Sequence, residues 1–477
     1  MDTIRAAFDP ESFRAQGHRV VDQLADYLGR ALRGDAMAVL PPSDPTELIG
    51  QWTAHFPEQA TGRFDDLLQR VLAQSNHLHH PRYVGHQVTS PLPLAALGDL
   101  VAALLNNGMA VYEMGPAATA MERRLVGWMA AQLGFPPTAD GVFTSGGSAG
   151  NLTALLAARQ AKAGFDVWSD GAHGGAPLAV LASEHAHYCV QRSAQIMGWG
   201  AGGVVPVETD AQFRMRPDAL LDALERAGSA GRNVIAVVAS ACSTATGSFD
   251  PLDAIADFCA EHGLWLHVDG AHGASAILSD RYRYLLAGIA RADSVVWDAH
   301  KMLLMPALIT AVLFRDGRHS YEAFAQQASY LFAGSERAEE WFNVGARTLE
   351  CTKRMMSLKL YAALATYGTR LFADYVTAMF DLGRRFAARL RAAADFELAV
   401  EPAANIVCFR YRGTEGVSDS LNSEIVADIQ ESGIAVPSTT MINGRLAIRA
   451  AIVNHRTQTG DIDALIAAVL KFGQKRN

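Results

Sequence analysis

The segment S-V-V-W-D-A-H-K-M-L-L at residues 294–304 joins an apolar run to a cluster of ionisable residues. Its first five residues are predicted to form a buried strand, and His300 and Lys301 follow directly before further apolar residues. In an apolar setting a lysine loses the hydration of its ammonium group, so its pKa falls and the neutral amine becomes a nucleophile toward carbonyls. The ordinary alternative is a buried stem that carries the ammonium out to water.

Four other apolar runs are of the same kind as the strand in this segment. They are L-A-V-L-A-S (178–183), N-V-I-A-V-V-A-S (233–240), L-W-L-H-V-D (264–269) and I-T-A-V-L-F (309–314). Runs that are apolar throughout, rather than alternating, are typical of strands buried on both faces. Because helical or turn-rich segments separate these runs, the sequence predicts a mostly parallel sheet in a layered α/β domain.

The regions on either side of these runs differ in pattern. Apolar residues recur at helical spacing over 11–32, and the three prolines of 38–48 end that helix. After a helix-like segment at 354–368 comes a smaller unit. Its predicted elements are strands within 405–411 and 444–453 and a final amphipathic helix at 460–472.

Composition limits the classes of protein that fit. The chain has 477 residues and a formal net charge of -8, and it contains no lysine-rich or arginine-rich tract, which argues against a general nucleic-acid partner. The N-terminus carries no long apolar stretch, and the run at 93–105 is too short to span a bilayer, so we expect no membrane association. Five cysteines without a C-x-x-C pair indicate reduced thiols and a cytoplasmic protein.

A glycine-rich turn, T-S-G-G-S-A-G-N at 144–151, precedes a helical pattern. Free backbone N–H groups and the helix dipole attract a phosphate at such a position, and glycine lets the backbone approach closely. An ordinary strand-to-helix turn is the more common explanation of this motif alone, since its spacing fits neither a Walker loop nor G-x-G-x-x-G.

Two further residues lie just past predicted strands, where ligands bind in such sheets. Asp269 ends the strand at 264–269, and a buried carboxylate there needs a cation or several donors unless it only caps the next turn. His187 follows the strand at 178–183, and its flat imidazole could stack on a planar ligand, although such histidines are usually ordinary loop residues. Pyridoxal phosphate is one cofactor that would use the glycine-rich turn, the lysine, the carboxylate and the imidazole together.

Five motifs carry a resemblance to a known family. They are F-T-S-G-G-S-A-G-N (143–151), S-E-H-A-H-Y-C-V-Q-R (183–192), C-S-T-A-T-G-S-F-D-P-L (242–252), H-V-D-G-A-H-G (267–273) and D-S-V-V-W-D-A-H-K (293–301). In this order they resemble the motifs of the pyridoxal-phosphate-dependent group II amino-acid decarboxylases, which include the glutamate, cysteine sulfinate, aromatic and diaminobutyrate decarboxylases. The likeness extends from the N-terminal helix to about residue 454.

The resemblance implies the fold of the fold type I pyridoxal phosphate enzymes. This is an α/β architecture with a mainly parallel seven-stranded sheet in a large domain, a smaller C-terminal α+β domain and an N-terminal helical segment. We place these parts at residues 86–375, 376–477 and 1–85, respectively. The family also leads us to expect a homodimer.

The resemblance also implies the roles of individual residues, and it suggests no metal site. Lys301 corresponds to the Schiff-base lysine, Asp269 to the partner of the pyridine nitrogen and His187 to the residue stacked on the ring. The remaining cofactor residues are Gly147 and Ser148 at the phosphate, His300 near it, and Thr244 and Asp298 in the surrounding shell. Asp298 departs from the asparagine usual in the family. Arg449 and His86 are the expected substrate-binding residues, Arg449 at the substrate carboxylate.

The implied reaction is decarboxylation of an L-amino acid to an amine and carbon dioxide, with catalytic residues Lys301, His187 and Asp269. Phe342 stands where the glutamate-type enzymes have a proton-donating tyrosine. The donor is then His187, Tyr330 or missing, and a missing donor predicts attack by oxygen to give an aldehyde.

The substrate signals conflict. The segment 80–89 is similar to diaminobutyrate-type members, whereas 111–122 resembles the glutamate and cysteine sulfinate branch. His86 and Gln87 favour a polar side chain over an aromatic one. Transamination on the same fold, or a homologue that binds the cofactor without turnover, are the alternatives. A dehydrogenase is disfavoured because the dinucleotide fingerprint is absent.

Overall fold

The five apolar runs predicted as strands lie in one seven-stranded sheet in the computed structural model. The strands are β1 (Asp140–Thr144), β2 (Leu178–Ser183), β3 (Val204–Val207), β4 (Asn233–Ser240), β5 (Trp265–Asp269), β6 (Ser294–Asp298) and β7 (Thr310–Phe314). Their order across the sheet is β1-β7-β6-β5-β4-β2-β3. Four neighbouring pairs are parallel, and only β7 runs antiparallel to both of its neighbours. The prediction of a mainly parallel sheet is confirmed.

The structure describes residues 2–34, 37–59, 61–62, 64–324, 342–414 and 416–476. The chain forms two compact units. The large unit comprises Gln87–Arg384 and Val400–Val407, and the small unit comprises Met1–His86, Arg385–Ala399 and Cys408–Asn477. The domain boundaries expected at 85 and 375 stay predictions.

Fourteen α-helices accompany the strands within the described residues. They are α1 (Asp2–Ala7), α2 (Pro10–Arg33), α3 (Pro45–Gly50), α4 (Phe64–Gln74), α5 (Pro93–Leu105), α6 (Pro116–Gln132), α7 (Gly147–Lys162), α8 (Val167–Asp170), α9 (Cys189–Ile196), α10 (Leu220–Ser229), α11 (Leu252–His262), α12 (Ser357–Ala392), α13 (Asp419–Glu431) and α14 (Thr459–Arg476). The helix predicted over 11–32 is α2. It begins where Asp9 accepts a hydrogen bond from the Ser12 backbone N–H at 2.8 Å, and it ends at Gly34, whose φ is 64°.

The core of the large unit lies where helix α7 packs on the sheet. Every residue of β5, β6 and β7 is buried, which explains why these strands are apolar on both faces. Gly150 of α7 permits a close approach, because a Cβ there would lie 3.2 Å from side-chain carbons of Val296, Thr310 and Val312. A larger residue would push the start of the helix away from the sheet.

A second sheet has four strands: β8 (Phe396–Leu398), β9 (Ile406–Tyr411), β10 (Ser438–Ile442) and β11 (Arg445–Ala451), in the order β10-β11-β9-β8. β10 and β11 are antiparallel and are joined by Asn443 and Gly444, whose φ values of 52° and 70° fit a tight hairpin turn. Both strands predicted after residue 400 are present, and α14 is the predicted final helix.

None of the helices that the structure describes has both the length and the apolar character needed to cross a bilayer.

Candidate active site

Six strands of the large sheet, all but β7, run in the same direction, and five of them end at or shortly before a predicted site residue. β5 and β6 end at Asp269 and Asp298 themselves. β1 leads to Gly147, β2 to His187 and β4 to Thr244. Because the carboxyl ends of these strands lie along one edge of the sheet, residues distant in sequence are brought together there.

The glycine-rich turn after β1 is the start of α7. Gly146 has a φ of 121°, a conformation that side-chain-bearing residues rarely adopt. A Cβ on Gly147 would lie 3.2 and 3.3 Å from the two carboxylate oxygens of Asp298, so glycine is what lets the helix start lie against that residue. The unpaired N–H groups of a helix start favour a bound anion at this position.

Lys301 faces the site and forms an ion pair with Asp298, with 3.1 Å between Nζ and Oδ2. Burial disfavours the ammonium, but the carboxylates of Asp298 and Asp269 outweigh it, so the pKa of Lys301 lies above its ordinary value. The prediction that an apolar setting lowers this pKa is wrong, because two carboxylates share the setting.

Asp298 is the most buried of these charged residues, with a side chain 1% exposed. The hydroxyl of Thr310 donates to its Oδ1 at 2.6 Å, and His300 Nε2 lies 3.5 Å from its Oδ2. His300 Nδ1 is 2.9 Å from the carbonyl oxygen of Ile309. The carboxylate is therefore held from several sides and orients both members of the His-Lys pair.

Asp269 and His187 complete the ionisable set. Burial raises the pKa of Asp269 despite the nearby Lys301, while its Oδ1 accepts a hydrogen bond from the Ala271 N–H at 3.2 Å. Burial lowers the pKa of His187, which favours the neutral imidazole. His187 Nδ1 accepts from the Cys189 backbone N–H at 3.3 Å, so the proton of the neutral ring is on Nε2.

All eight residues expected to hold the cofactor line one cavity of about 250 Å³. They are Gly147, Ser148, His187, Thr244, Asp269, Asp298, His300 and Lys301. Seven other residues also line the cavity, among them Asn151 and Cys242, to which sequence reasoning gave no role. Both belong to motifs of the sequence. Asn151 is the last residue of the glycine-rich motif, and Cys242 is the first residue of the motif at 242–252.

This cavity fits pyridoxal phosphate by the chemistry of its lining. A helix start with glycines suits a phosphate, a lysine suits an aldehyde, a buried carboxylate suits a protonated ring nitrogen, and an imidazole suits a flat ring. A Cβ on Gly147 would lie 3.2 Å from Asp298, so glycine at this position leaves room for a bound group at the start of α7.

The two expected substrate residues belong to the small unit. Arg449, on β11, is 5% exposed, and its Nη1 donates to the carbonyl oxygen of Gly85 at 3.0 Å and to Ser438 Oγ at 3.4 Å. Burial, followed by the positive charge of Arg449, lowers the pKa of His86. Within this unit the two side chains are thus electrostatic neighbours.

Two residues bear on the expected proton donor, Phe342 and Tyr330. Phe342 is half-buried, and its ring meets that of Tyr112 edge-on with 5.8 Å between centroids. Tyr330 lies outside the described residues. Phenylalanine cannot donate a proton. The identity of the proton donor is therefore tested by the products that the enzyme forms.

Substituting Asp298 with asparagine should speed capture of the cofactor at neutral pH. Only the neutral amine attacks an aldehyde, and Asp298 is the largest influence that raises the pKa of Lys301. For each unit by which that pKa falls, the neutral fraction at pH 7 rises about tenfold. The measurement is the rate of the absorbance change on adding pyridoxal phosphate to cofactor-free protein between pH 6 and 10. Thr310→Val keeps the carboxylate, so the pH dependence of its capture rate should shift less. An unchanged pH dependence in D298N would contradict the conclusion that Asp298 raises the pKa of Lys301.

A model of the pyridoxal-dependent decarboxylase conserved domain matches residues 42–412 of the chain. Among characterised relatives, the cysteine sulfinic acid decarboxylase of Rattus norvegicus is 32% identical over 451 residues, 90% of each chain. The aromatic-L-amino-acid decarboxylase of Bacillus atrophaeus is 29% identical over 471 residues, 95% of this chain and 93% of the relative.

Solved structures give the same picture. The crystal structure of mouse CSAD superposes with a TM-score of 0.90 at 28% identity and covers 98% of this chain and 99% of that one. The structure of Oryza sativa TDC with PLP and tryptamine has a TM-score of 0.90 at 25% identity, with the same coverage. These relatives share the fold, and their names give different amino-acid substrates.

Proposed function

The chain belongs to the pyridoxal-dependent decarboxylase family and is a pyridoxal-phosphate-dependent amino-acid decarboxylase, and we propose that its substrate is an L-amino acid with a polar side chain. The candidates of this class are diaminobutyrate and the acidic glutamate-like and cysteine sulfinate-like amino acids. Identities of 29 and 32% to relatives of different specificity leave this choice to the pocket residues.

The observation that carries the proposal is a row of three buried side chains, each with a polar atom that has no hydrogen-bond partner in the described part of the chain. Gln87, Thr89 and Ser90 are 9%, 3% and 3% exposed. Gln87 Nε2, Thr89 Oγ1 and Ser90 Oγ have no hydrogen-bond partner among the described residues. A buried polar atom left unpaired costs about 1–3 kcal/mol, so a row of three indicates that something polar binds there.

This row, hereafter the polar row (Gln87, Thr89 and Ser90), belongs to the large unit, which also carries Lys301. Two residues beyond it, the Leu92 N–H donates to the carbonyl oxygen of Leu304 at 2.8 Å. The Leu304 N–H in turn donates to the carbonyl oxygen of Lys301 at 3.2 Å. The segment that follows the polar row is therefore hydrogen-bonded, through Leu92, to the turn that carries Lys301.

Bound pyridoxal phosphate supplies an electron-withdrawing ring that accepts the electron pair left when the α-carboxylate departs as carbon dioxide. We propose that Lys301 Nζ holds the cofactor's aldehyde carbon and that the start of α7, at Gly147 and Ser148, holds its phosphate. Asp269 would keep the ring nitrogen protonated, since a buried carboxylate is stabilised by a facing cation. The neutral His187 would lie on the ring face.

The other proposed residues act around this frame. Thr244, Asp298 and His300 line the cavity and would complete the cofactor's surroundings. Arg449 is our proposal for the residue that receives the substrate carboxylate, and His86 for a side-chain contact. The guanidinium of Arg449 is buried and donates two hydrogen bonds, which fix its orientation. This supports the proposed role, because a guanidinium held in place loses little entropy on binding an anion.

A panel of the common amino acids with diaminobutyrate and cysteine sulfinate, assayed for carbon dioxide release by the holoenzyme, tests the substrate class. We expect the highest kcat/KM for a polar substrate. In Thr89→Val, kcat/KM for that substrate should fall on the order of 10-fold or more, since the substrate would lose its hydrogen bond to the Thr89 hydroxyl. Thr119→Val is the matched control, because Thr119 is also buried and its hydroxyl has no partner among the residues that the structure describes, but it lies on α6. An aromatic amino acid at the head of the panel would contradict the proposal.

A second candidate function follows from Phe342, where a tyrosine hydroxyl is missing. Without a proton donor, the electron pair left at Cα can pass to oxygen, which is reduced to hydrogen peroxide, and water then releases the aldehyde and ammonia. The same panel decides between the two reactions when amine and peroxide are measured beside carbon dioxide. Amine equal to carbon dioxide is the expected result, and peroxide equal to carbon dioxide would establish the second function.

We further propose that the protein is a homodimer, and helix α5 supports this. Its apolar residues Leu97, Leu100, Val101, Leu104 and Leu105 are 48, 49, 47, 66 and 55% exposed. They recur at positions i, i+3, i+4, i+7 and i+8, which is the stripe that a helix buries against a neighbour. Light scattering should give twice the chain mass of 51.2 kDa, and Leu100→Glu should weaken the dimer. A single-chain mass for the unaltered protein would contradict this proposal.

A further inference from the structure

A buried chain of polar groups connects the start of α7 to strands β5 and β6. Asn151 Nδ2 donates to the carbonyl oxygen of Gly147 at 2.9 Å, and Asn151 Oδ1 lies 2.7 Å from His267 Nε2. His267 Nδ1 lies 2.9 Å from Ser294 Oγ, which accepts from Trp265 Nε1 at 2.9 Å. All four side chains of this hydrogen-bonded series are at most 1% exposed, namely those of Asn151, Trp265, His267 and Ser294.

The proton positions in this chain follow from its two ends. The indole N–H of Trp265 can only donate, so the Ser294 oxygen accepts it and turns its own hydrogen to His267 Nδ1. The Asn151 oxygen can only accept, so His267 Nε2 carries the proton. All hydrogen bonds are then satisfied by a neutral imidazole, and burial lowers the pKa of His267 to about 4. The chain keeps one arrangement across the physiological pH range.

The position of His267 gives the chain a use. His267 and Asp269 are two residues apart on β5, so both side chains lie on the same face of the sheet. That face is the one against which Asn151 holds α7. The other end of the asparagine fixes the carbonyl of Gly147, at the helix start proposed to bind the phosphate. Asn151 thus joins the proposed phosphate-binding turn to the strand that carries Asp269.

We propose that Asn151 is a positioning residue that sets the separation between the phosphate-binding turn and Asp269. The inference rests on the proposed function of these two places at opposite ends of the cofactor. It assigns Asn151 no contact with the reacting atoms. Its effect should appear only for ligands that carry both the ring and the phosphate, whereas a residue that merely stabilises the fold would weaken all ligands alike.

The test compares pyridoxal phosphate with pyridoxal, which lacks the phosphate, on the full-length chain freed of cofactor. In Asn151→Ala we expect the Kd for pyridoxal phosphate to rise at least about tenfold and that for pyridoxal less than about threefold, as one lost buried hydrogen bond predicts. Thr153→Val is the matched control, since its buried hydroxyl donates only to Ala149 O within the same helix. It should leave the ratio of the two affinities unchanged.

A second variant guards against loss of folding. Asn151→Leu keeps the branched shape of the side chain and adds no charge, but it can neither donate to Gly147 O nor accept from His267 Nε2, so it should show the same selective loss. In the unaltered protein, ¹⁵N NMR should find His267 neutral with its proton on Nε2 at pH 7. Equal losses for both ligands, no loss, or the other tautomer would overturn the inference. If the unaltered protein fails to bind pyridoxal phosphate at Lys301, the proposed function fails instead.

Discussion

Replacing Lys301 with arginine should lower carbon dioxide release on the order of 10³-fold or more. Arginine keeps a cation beside Asp298, so the buried carboxylates retain a partner and the fold is preserved, but a guanidinium is no nucleophile at neutral pH. The loss therefore reports the chemistry of the amine rather than its charge. Steady-state assays at saturating cofactor make the measurement.

Chemical labelling gives the second half of this test. Borohydride reduction of the unaltered protein with pyridoxal phosphate should fix the cofactor's mass on the peptide that contains Lys301, and K301R should stay unlabelled. Lys162, which donates to the carbonyl oxygen of Gly263 on the surface, provides the control, and Lys162→Arg should keep both label and activity. A label on any other lysine would remove the basis of the proposed site.

Replacing Asp269 with asparagine should damage kcat far more than KM. The carboxylate is proposed to keep the ring nitrogen protonated, an effect that matters most when charge develops during departure of carbon dioxide. We expect kcat to fall on the order of 10²- to 10³-fold, with KM changed less than about tenfold. The pair of constants, measured on the best substrate of the panel, separates electrostatic assistance from binding.

The matched control for this substitution is Asp293→Asn. Asp293 lies just before β6, at the opposite end of the strands, where its carboxylate accepts from the Leu266 N–H at 2.8 Å and pairs with Arg315 at 3.3 Å. It should leave kcat nearly unchanged. If D269N instead raises KM alone, Asp269 serves binding and the proposed electrostatic role is wrong.

Sequence reasoning missed two strands of the large sheet for identifiable reasons. β1 begins with Asp140, whose charge is matched by Arg123 and by Arg347 at 2.7 Å, and a side chain on Gly141 would collide with the carbonyl oxygen of Val312. Aspartate and glycine are both uncommon in strands, and only the folded structure supplies the arginines that pair with Asp140 and the close approach that requires Gly141. β3 is a partly exposed edge strand that contains Pro206, a residue that argues against a strand in an isolated sequence.

The sequence by itself determined the buried strands β2, β4, β5, β6 and β7, because continuous apolar runs of that length have few other uses in a layered α/β fold. It also placed Asp269, Asp298 and Lys301 at strand ends, and the motifs around them indicated pyridoxal phosphate. These features are local, so residues close in the chain are enough to reveal them.

Only the tertiary structure decided which charges face one another. Lys301 forms an ion pair with Asp298 and is also influenced by the charge of Asp269, so its pKa is raised rather than lowered as its apolar neighbours in sequence predicted. Asn151 meets His267, 116 positions away, through a hydrogen bond that no local pattern announces. Electrostatic energy depends on distance and burial in space, and those are fixed by the packing of α7 on the sheet rather than by order along the chain.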